Sequence, residues 1–368
     1  MSAPDQIDGA PHPRETAQIF GQHNAEQAFL DAYATGRLHH AWLLTGPRGI
    51  GKATLAWTIA RFLLATPPVD QGGFFEAPPP PDTLAIDPEH PVSYRIAAGA
   101  EPGLKSITRT PNPKTDRMRD QIVVDDIRAL AGFFQLSAAD GGRRVVIIDA
   151  ADDMNPSAAN ALLKMLEEPP ENATLLLVSH HPSGLLPTIR SRCRTLRLNT
   201  LSPEAMTQAF EQAGIATGAQ TAALSELSGG SVGAAIRLSL LEGLKTYAEL
   251  VALIEQLPQF DRARALKLAE GAAARGGEAK RDLLFDLIEL LLSRLARSGA
   301  TGKAPTVEAA QNEAATLIRL APNQTAARAW AQVAQETGAR ARHGRAVNLD
   351  PAALVLDTLI KISQTASG

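Results

Sequence analysis

A strand-length apolar run, Ala41-Trp42-Leu43-Leu44, leads into Thr45-Gly46-Pro47-Arg48-Gly49-Ile50-Gly51-Lys52, and a helical pattern follows from Ala53 to Leu64. Strand, glycine-rich turn and helix in that order open a βαβ unit, so this part of the chain is committed to an α/β fold. The spacing Gly46-x4-Gly51-Lys52 is that of a phosphate loop. Glycines let backbone N–H groups close around phosphate oxygens, and Lys52 places a point charge near the outer phosphates. Gly46, Gly49, Gly51 and Lys52 are therefore the first candidates for nucleotide binding. The pattern then departs from the usual one. The residue after the lysine, which should supply a hydroxyl to Mg²⁺, is Ala53, and a threonine stands one place later, at Thr54.

Two further apolar runs have the length of parallel strands covered on both faces. They are Val145-Val146-Ile147-Ile148, ending at Asp149, and Thr174-Leu175-Leu176-Leu177-Val178, followed by Ser179. Helical spacing appears over 24–33, 125–136 and 157–166, so strands and helices alternate and an α/β domain is expected over 15–198. Residues 1–14, rich in Pro and Gly, read as a flexible tail. The stretch 66–119, with Pro78 to Pro81 and scattered Gly, reads as a loop insertion, partly disordered. After Thr200 the pattern is helical throughout, starting at Ser202-Pro203-Glu204 with Pro at the first position. A helical segment over 199–243 and a second all-α domain over 244–368 are expected.

Composition bounds the function. Aromatics are 4% of a chain that is 45% hydrophobic, so the core rests on Ala, Leu, Ile and Val. With 36 basic and 39 acidic residues the net charge is −3, which argues against coating nucleic acid by bulk charge. A lone Cys193 excludes an internal disulfide and a cysteine-rich zinc module. His39-His40 and His180-His181 lack acidic or cysteine partners at ligand spacing, so no metal centre and no zinc is expected. No run approaches 18 apolar residues and no apolar leader precedes the first domain, so the expectation is a cytoplasmic protein without a membrane segment.

Asp149 stands where a second acidic motif would orient Mg²⁺, but the next residue is Ala150, not a water-polarising glutamate. The residues leave metal binding and a solvated acidic turn both open. Asp152 and Asp153 fall in a different register, as the start of the next helix. Ser179 is a candidate for sensing a terminal phosphate, or for a turn hydrogen bond. Lys105, Arg109, Lys114, Arg117 and Arg119 make the insertion locally basic, which suits a solvated loop or a contact to DNA or a partner. Cys193 reads as a small buried residue with no His or Asn partner.

Three segments carry a family resemblance. Asn160-Ala161-Leu162-Leu163-Lys164-Met165-Leu166-Glu167-Glu168-Pro169-Pro170 resembles a helix and turn of clamp-loader subunits; Leu185 to Cys193 is similar to the segment ending in their Ser-Arg-Cys motif; and His39 to Pro47 is similar to the strand entering their phosphate loop. Over about 15–240 the chain resembles the clamp-loader branch of the AAA+ proteins. The resemblance implies an α/β AAA+ domain, a small helical lid and a helical collar that drives oligomerisation. It also implies partners: motor and other subunits of a hetero-pentamer within the bacterial DNA polymerase III holoenzyme, and the sliding clamp and primed DNA reached through that complex. Motor subunits of the family carry a hydroxyl after the lysine, an Asp-Glu pair, a lid arginine and a cysteine-ligated zinc module. Here stand Ala53, Asp149-Ala150 and Gly233, with no cysteine between the two motifs. The chain is thus expected to be a non-hydrolysing subunit without ATPase activity of its own, holding ATP or ADP weakly if at all and Mg²⁺ poorly. Arg192 has the position of the family's arginine finger, lent in trans to a neighbour's ATP site. A different outcome is a working P-loop ATPase acting on DNA, with Thr54 supplying the metal hydroxyl; a nucleotide kinase lacks a recognisable acceptor site.

Overall fold

The computed structural model describes residues 5–16, 18–36, 38–66, 81–135, 142–215, 218–274, 276–347 and 349–367. The chain divides into two compact units, Met1–Ala216 with Gly230–Ala234, and Thr217–Gly229 with Ala235–Gly368.

The first unit begins with α1 (His23–Ala34), β1 (Ala41–Thr45) and α2 (Lys52–Ala65), continues through α3 (Pro91–Ala97), β2 (Leu104–Ile107), α4 (Val124–Gln135) and β3 (Arg144–Asp149), and then α5 (Pro156–Glu167), β4 (Ala173–Ser179), α6 (Pro187–Ser191), β5 (Arg194–Arg197) and α7 (Pro203–Gln212). The five strands form one parallel sheet in the order β2-β3-β4-β1-β5. Successive residues of a strand face opposite sides, which is why β1, β3 and β4 need apolar side chains at nearly every position. On one side Leu43, Leu175, Leu177, Val146 and Ile148 pack with Ile127 and Leu130 of α4 and Leu162 and Leu166 of α5. On the other, Trp42 meets Phe29 of α1 at 5.0 Å between ring centroids, and Phe29 meets Phe62 of α2 at 6.5 Å. The caps are local: Asn155 accepts from Ala158 N at 2.8 Å and Ser202 from Ala205 N at 3.3 Å, each followed by proline in the first helical turn.

Three features differ from the sequence expectation. Residues 5–16 are packed rather than free. His12 is 5% exposed, pairs with Asp5 at 3.2 Å and sets its ring edge-on to Trp57, while Arg61 donates to the Arg14 carbonyl at 2.7 Å. A polar side chain such as His12 can be buried in this way because it meets a partner. The stretch expected to be a loop insertion holds α3 and β2, residues 67–80 of it lying outside the described residues. β2 escapes a search for apolar runs because it is a four-residue edge strand in which only Ile107 is fully buried. Asp152 and Asp153 lie in a 3-10 turn, Ala151–Asp153, and α5 starts only at Pro156.

The second unit is all helix: α8 (Thr221–Ser228), most of α9 (Val232–Leu240), α10 (Gly243–Glu255), α11 (Arg262–Ala273), α12 (Glu278–Thr301), α13 (Glu313–Leu320), α14 (Gln324–Ala346) and α15 (Pro351–Ser367). The expected boundaries at 199 and 244 do not coincide with this division: α7 goes with the sheet and α8 with the helices. Leu284, Leu287, Ile288, Leu291, Leu292 and Leu295 recur on α12 at spacings of three and four and are buried. Within this apolar array sits a charged cluster. Arg294 Nε lies 2.7 Å from Glu313 Oε1 and its Nη1 2.5 Å from Glu226, while Tyr247 donates to Glu313 at 2.6 Å. Glu313 is fully buried, and its second oxygen accepts from Ala309 N at 2.7 Å.

Candidate functional site

The phosphate loop leaves the carboxyl end of β1, the edge at which open α/β sheets bind ligands. The strand register brings its companions there. Thr45 is opposite Ser179, and Asp149 opposite Val178. Gly46, Gly49, Gly51, Lys52, Asp149 and Ser179 thus meet at one edge. Gly46 has φ 141°, and a Cβ on it would stand 2.6 Å from the Leu198 carbonyl oxygen, so no other residue fits.

Lys52 is 3% exposed and turned back into its own loop, where Nζ donates to the carbonyls of Gly46 at 2.7 Å and Pro47 at 2.5 Å. Burial pushes its ammonium down to about 8, against the attraction of Asp149 and Asp152. Burial pushes the Asp149 carboxyl up to about 7; the charge of Asp5 adds to this and Lys52 opposes it. Burial, with Lys52 close by, holds the His180 imidazole down at about 4.

The residue that organises the end of β4 is Asp152, which sequence reasoning missed. Its carboxylate accepts from Ser179 Oγ at 2.7 Å and from the backbone N–H groups of His180 and His181. Its spacing of three from Asp149, across a tight turn, was the available signal. Ser179 is fully buried and committed to this bond.

The lid segment presses on the loop from above. Gly233 N donates to Gly49 O at 2.9 Å, and Ser231 Oγ to Arg48 O at 2.9 Å. A Cβ on Gly49 would stand 2.5 Å from Ser231 Oγ, and one on Gly233 2.9 Å from Gly49 Cα. The loop backbone, with glycines of positive φ at 46, 49 and 51, suits a phosphate. Ala53 offers no hydroxyl to a metal and Ala150 no carboxylate to polarise a water, while Asp149 remains at this edge and Lys52 is bonded to loop carbonyls. Thr54 is on α2, half-buried, and one residue along a helix turns a side chain by about 100° away from the place a hydroxyl at 53 would occupy.

Arg192 is not brought into this cluster. It caps α6, where Nη2 lies 2.8 Å from Glu167 Oε1 and Nη1 donates to Thr188 O at 3.1 Å. Helix α5 starts beyond the carboxyl end of β3 and runs back for 12 residues, about 18 Å, to end at Glu167. β5 then enters the sheet with Arg194 opposite Trp42, near the start of β1. Arg192 is thereby at the amino edge of the sheet, a helix length from the chain's own phosphate loop. Arg194 is a different case from its neighbours, because its guanidinium stacks on Trp42 at 5.1 Å. Cys193 is partly buried and its thiol is pushed up to about 12, which removes it as a nucleophile. His40 bonds Leu166 O at 3.0 Å and stacks on His39. Among the described residues no three His, Cys, Asp or Glu side chains group as metal ligands would, and no helix is long and apolar enough to cross a membrane.

Residues 21–202 match the family model described as DNA polymerase III, delta subunit. The DNA polymerase III subunit delta' of Pseudomonas aeruginosa is 42% identical over 154 residues, 42% of this chain and 41% of that protein. The Escherichia coli K12 subunit delta' is 32% identical over 216 residues, 58% of each chain. The E. coli subunit tau is 28% identical over 315 residues, 76% of this chain and 43% of that one. The chain spans 41% to 58% of the length of these relatives. A solved gamma subunit-related protein of Thermotoga maritima aligns with a TM-score of 0.44 at 18% identity, covering 92% of this chain and 99% of that one.

Proposed function

Since this chain belongs, through its α/β part, to the DNA polymerase III clamp-loader family and is delta-prime-like, we propose that it is a non-hydrolysing subunit of that loader. It helps place the sliding clamp on primed DNA during replication in the cytoplasm. It lends Arg192 to the ATP site of a neighbouring motor subunit, and its helices beyond 244 join a hetero-pentameric collar with the motor and delta subunits.

The observation that carries this is the separation of the two halves of an ATPase site. The carboxyl edge keeps a phosphate loop and Asp149 but lacks the metal hydroxyl at 53 and the water-polarising acid at 150. The amino edge presents an arginine too far away to serve that loop. Phosphoryl transfer builds charge on equatorial oxygens, and an arginine supplied in trans is worth about 10³ to 10⁵ in rate at one site. Arginine suits the task because its planar fork stays charged at every physiological pH.

The isolated chain should turn over ATP no faster than background; turnover near 1 per second, abolished by Lys52→Ala, would establish the ATPase reading instead. In the reconstituted complex, Arg192→Ala should leave assembly intact and lower DNA- and clamp-stimulated ATPase activity and clamp loading. Arg190→Ala is the control for charge removal, since Arg190 is exposed on the same short helix. Arg194 cannot serve, because its removal also uncovers Trp42. Equal behaviour of the Arg190 and Arg192 variants would reduce Arg192 to one charge of a basic strip.

A further inference from the structure

The ion partner of Arg192 is a residue with no assigned role. Glu167 is the last residue of α5, and a carboxylate there faces the negative end of the helix dipole, an electrostatically unfavourable place. Arg192 supplies the compensating charge at 2.8 Å. Both partners stand on fixed ground. Leu166, next to Glu167, is buried in the sheet-side core, and its carbonyl is bonded by His40 at 3.0 Å. Ile189, three residues before Arg192, is fully buried, and Arg192 N donates to its carbonyl at 3.1 Å. Thr188 O takes Nη1 while Glu167 takes Nη2, so the guanidinium is gripped by two acceptors from two helices. A guanidinium has five N–H donors, and two such contacts leave the fork able to meet a further anion.

A long side chain one-third exposed would otherwise sample many rotamers, and each would have to be frozen when the neighbour's phosphates arrive. Holding it beforehand removes that cost from the transition state. We propose that Glu167 is the positioning residue for Arg192, fixing the guanidinium at the subunit face in the orientation it presents to the neighbouring ATP site. The proposal rests on the arginine-finger reading and adds to it the residue that aims the finger.

The pair is partly exposed, so the effect is modest. Exposed ion pairs bias an equilibrium by roughly 1.5- to 5-fold. In the full reconstituted loader with ATP, primed DNA and clamp, Glu167→Ala should lower the turnover of the one site served by Arg192 by about that factor. KM for ATP should stay unchanged, because orientation matters in the transition state and not in nucleotide binding. Glu167→Asp, which keeps the charge on a shorter arm, should recover part of the loss, and Glu168→Ala on the same turn should behave as wild type. Adding Glu167→Ala to Arg192→Ala should produce no further loss, since nothing is left to position; a merely structural role would give additive losses and weaker assembly on gel filtration. An impaired Arg192→Ala complex beside a fully active or faster Glu167→Ala complex would overturn the positioning role alone. An Arg192→Ala complex as active as wild type would overturn the finger and its positioning residue together.

Discussion

Replacing Arg294 with methionine keeps most of the volume of the side chain but leaves the Glu313 carboxylate alone in the helical unit. Glu313 is 0% exposed, so water cannot take the arginine's place. It would retain only the Tyr247 hydroxyl at 2.6 Å and the Ala309 N–H at 2.7 Å. Removing one partner of a buried pair costs about 3–5 kcal/mol, because a charge stays behind in low dielectric. Glu226, whose side chain is 32% exposed, rehydrates when Arg294 is lost and adds no more than about 1 kcal/mol. With a urea slope of about 1–3 kcal/mol/M, the midpoint should fall by at least about 1 M. Hydrogen exchange read on peptides from α10, α12 and α13 isolates this transition from that of the sheet, whose amides should keep their protection. The double variant Arg294→Met with Glu313→Gln removes both charges and keeps an acceptor for Tyr247. It should therefore recover all but about 1–2 kcal/mol. A single variant within about 1 kcal/mol of wild type, or a double variant no better than the single, would refute the account of this network.

Two further predictions concern the phosphate-loop edge. The Asp149 carboxyl is pushed up to about 7, above the ordinary carboxylate value of 3.8, so its ionised form opposes folding and native stability should fall as pH rises from 4 through 7. Asp149→Asn should remove that dependence. The full rise would amount to about 4 kcal/mol, and partial solvent access reduces it to roughly 1–2 kcal/mol in favour of the variant at pH 8, with no difference at pH 4 in thermal unfolding. A variant advantage that does not grow with pH would count against this. Gly233→Ala should gain about 0.5–1 kcal/mol of helix propensity in the first turn of α9, yet its Cβ would meet Ile7 Cδ1 and stand 2.9 Å from Gly49 Cα. Overpacking of that kind costs about 1–3 kcal/mol, so a net drop of Tm is expected, only partly relieved by Ile7→Ala; an unchanged or higher Tm would mean the lid segment is not seated on the loop.

The central strands were legible because burial on two faces leaves a sequence no choice but a continuous apolar run, as in Val145 to Ile148 and Leu175 to Val178. The phosphate loop was legible because only glycine tolerates the backbone at Gly46. What escaped had a different physical basis. β2 borders solvent, so its residues need not be apolar. His12 is polar and is buried by pairing with Asp5 and by the ring of Trp57, a meeting of separated residues that no local pattern records. Asp152 earns its place through hydrogen bonds to β4, 27 residues away, and its neighbours in sequence suggested only a helix start. The opposition of Lys52 and Arg192 across the sheet follows from the direction in which α5 runs, which periodicity cannot give.

The two edges of the sheet bear on how this chain survives at high concentration. Its long strands lie inside, while both borders, β2 and β5, are four residues long. The border at β5 carries Arg194 and Arg197, both exposed, with Leu196 alone turned inward, and the border at β2 carries exposed Lys105. A second chain adding itself as a sixth strand would have to lay its backbone among these cations and desolvate them for only a few ladder hydrogen bonds. Short, cationic borders thus guard an apolar sheet against edge-to-edge accretion.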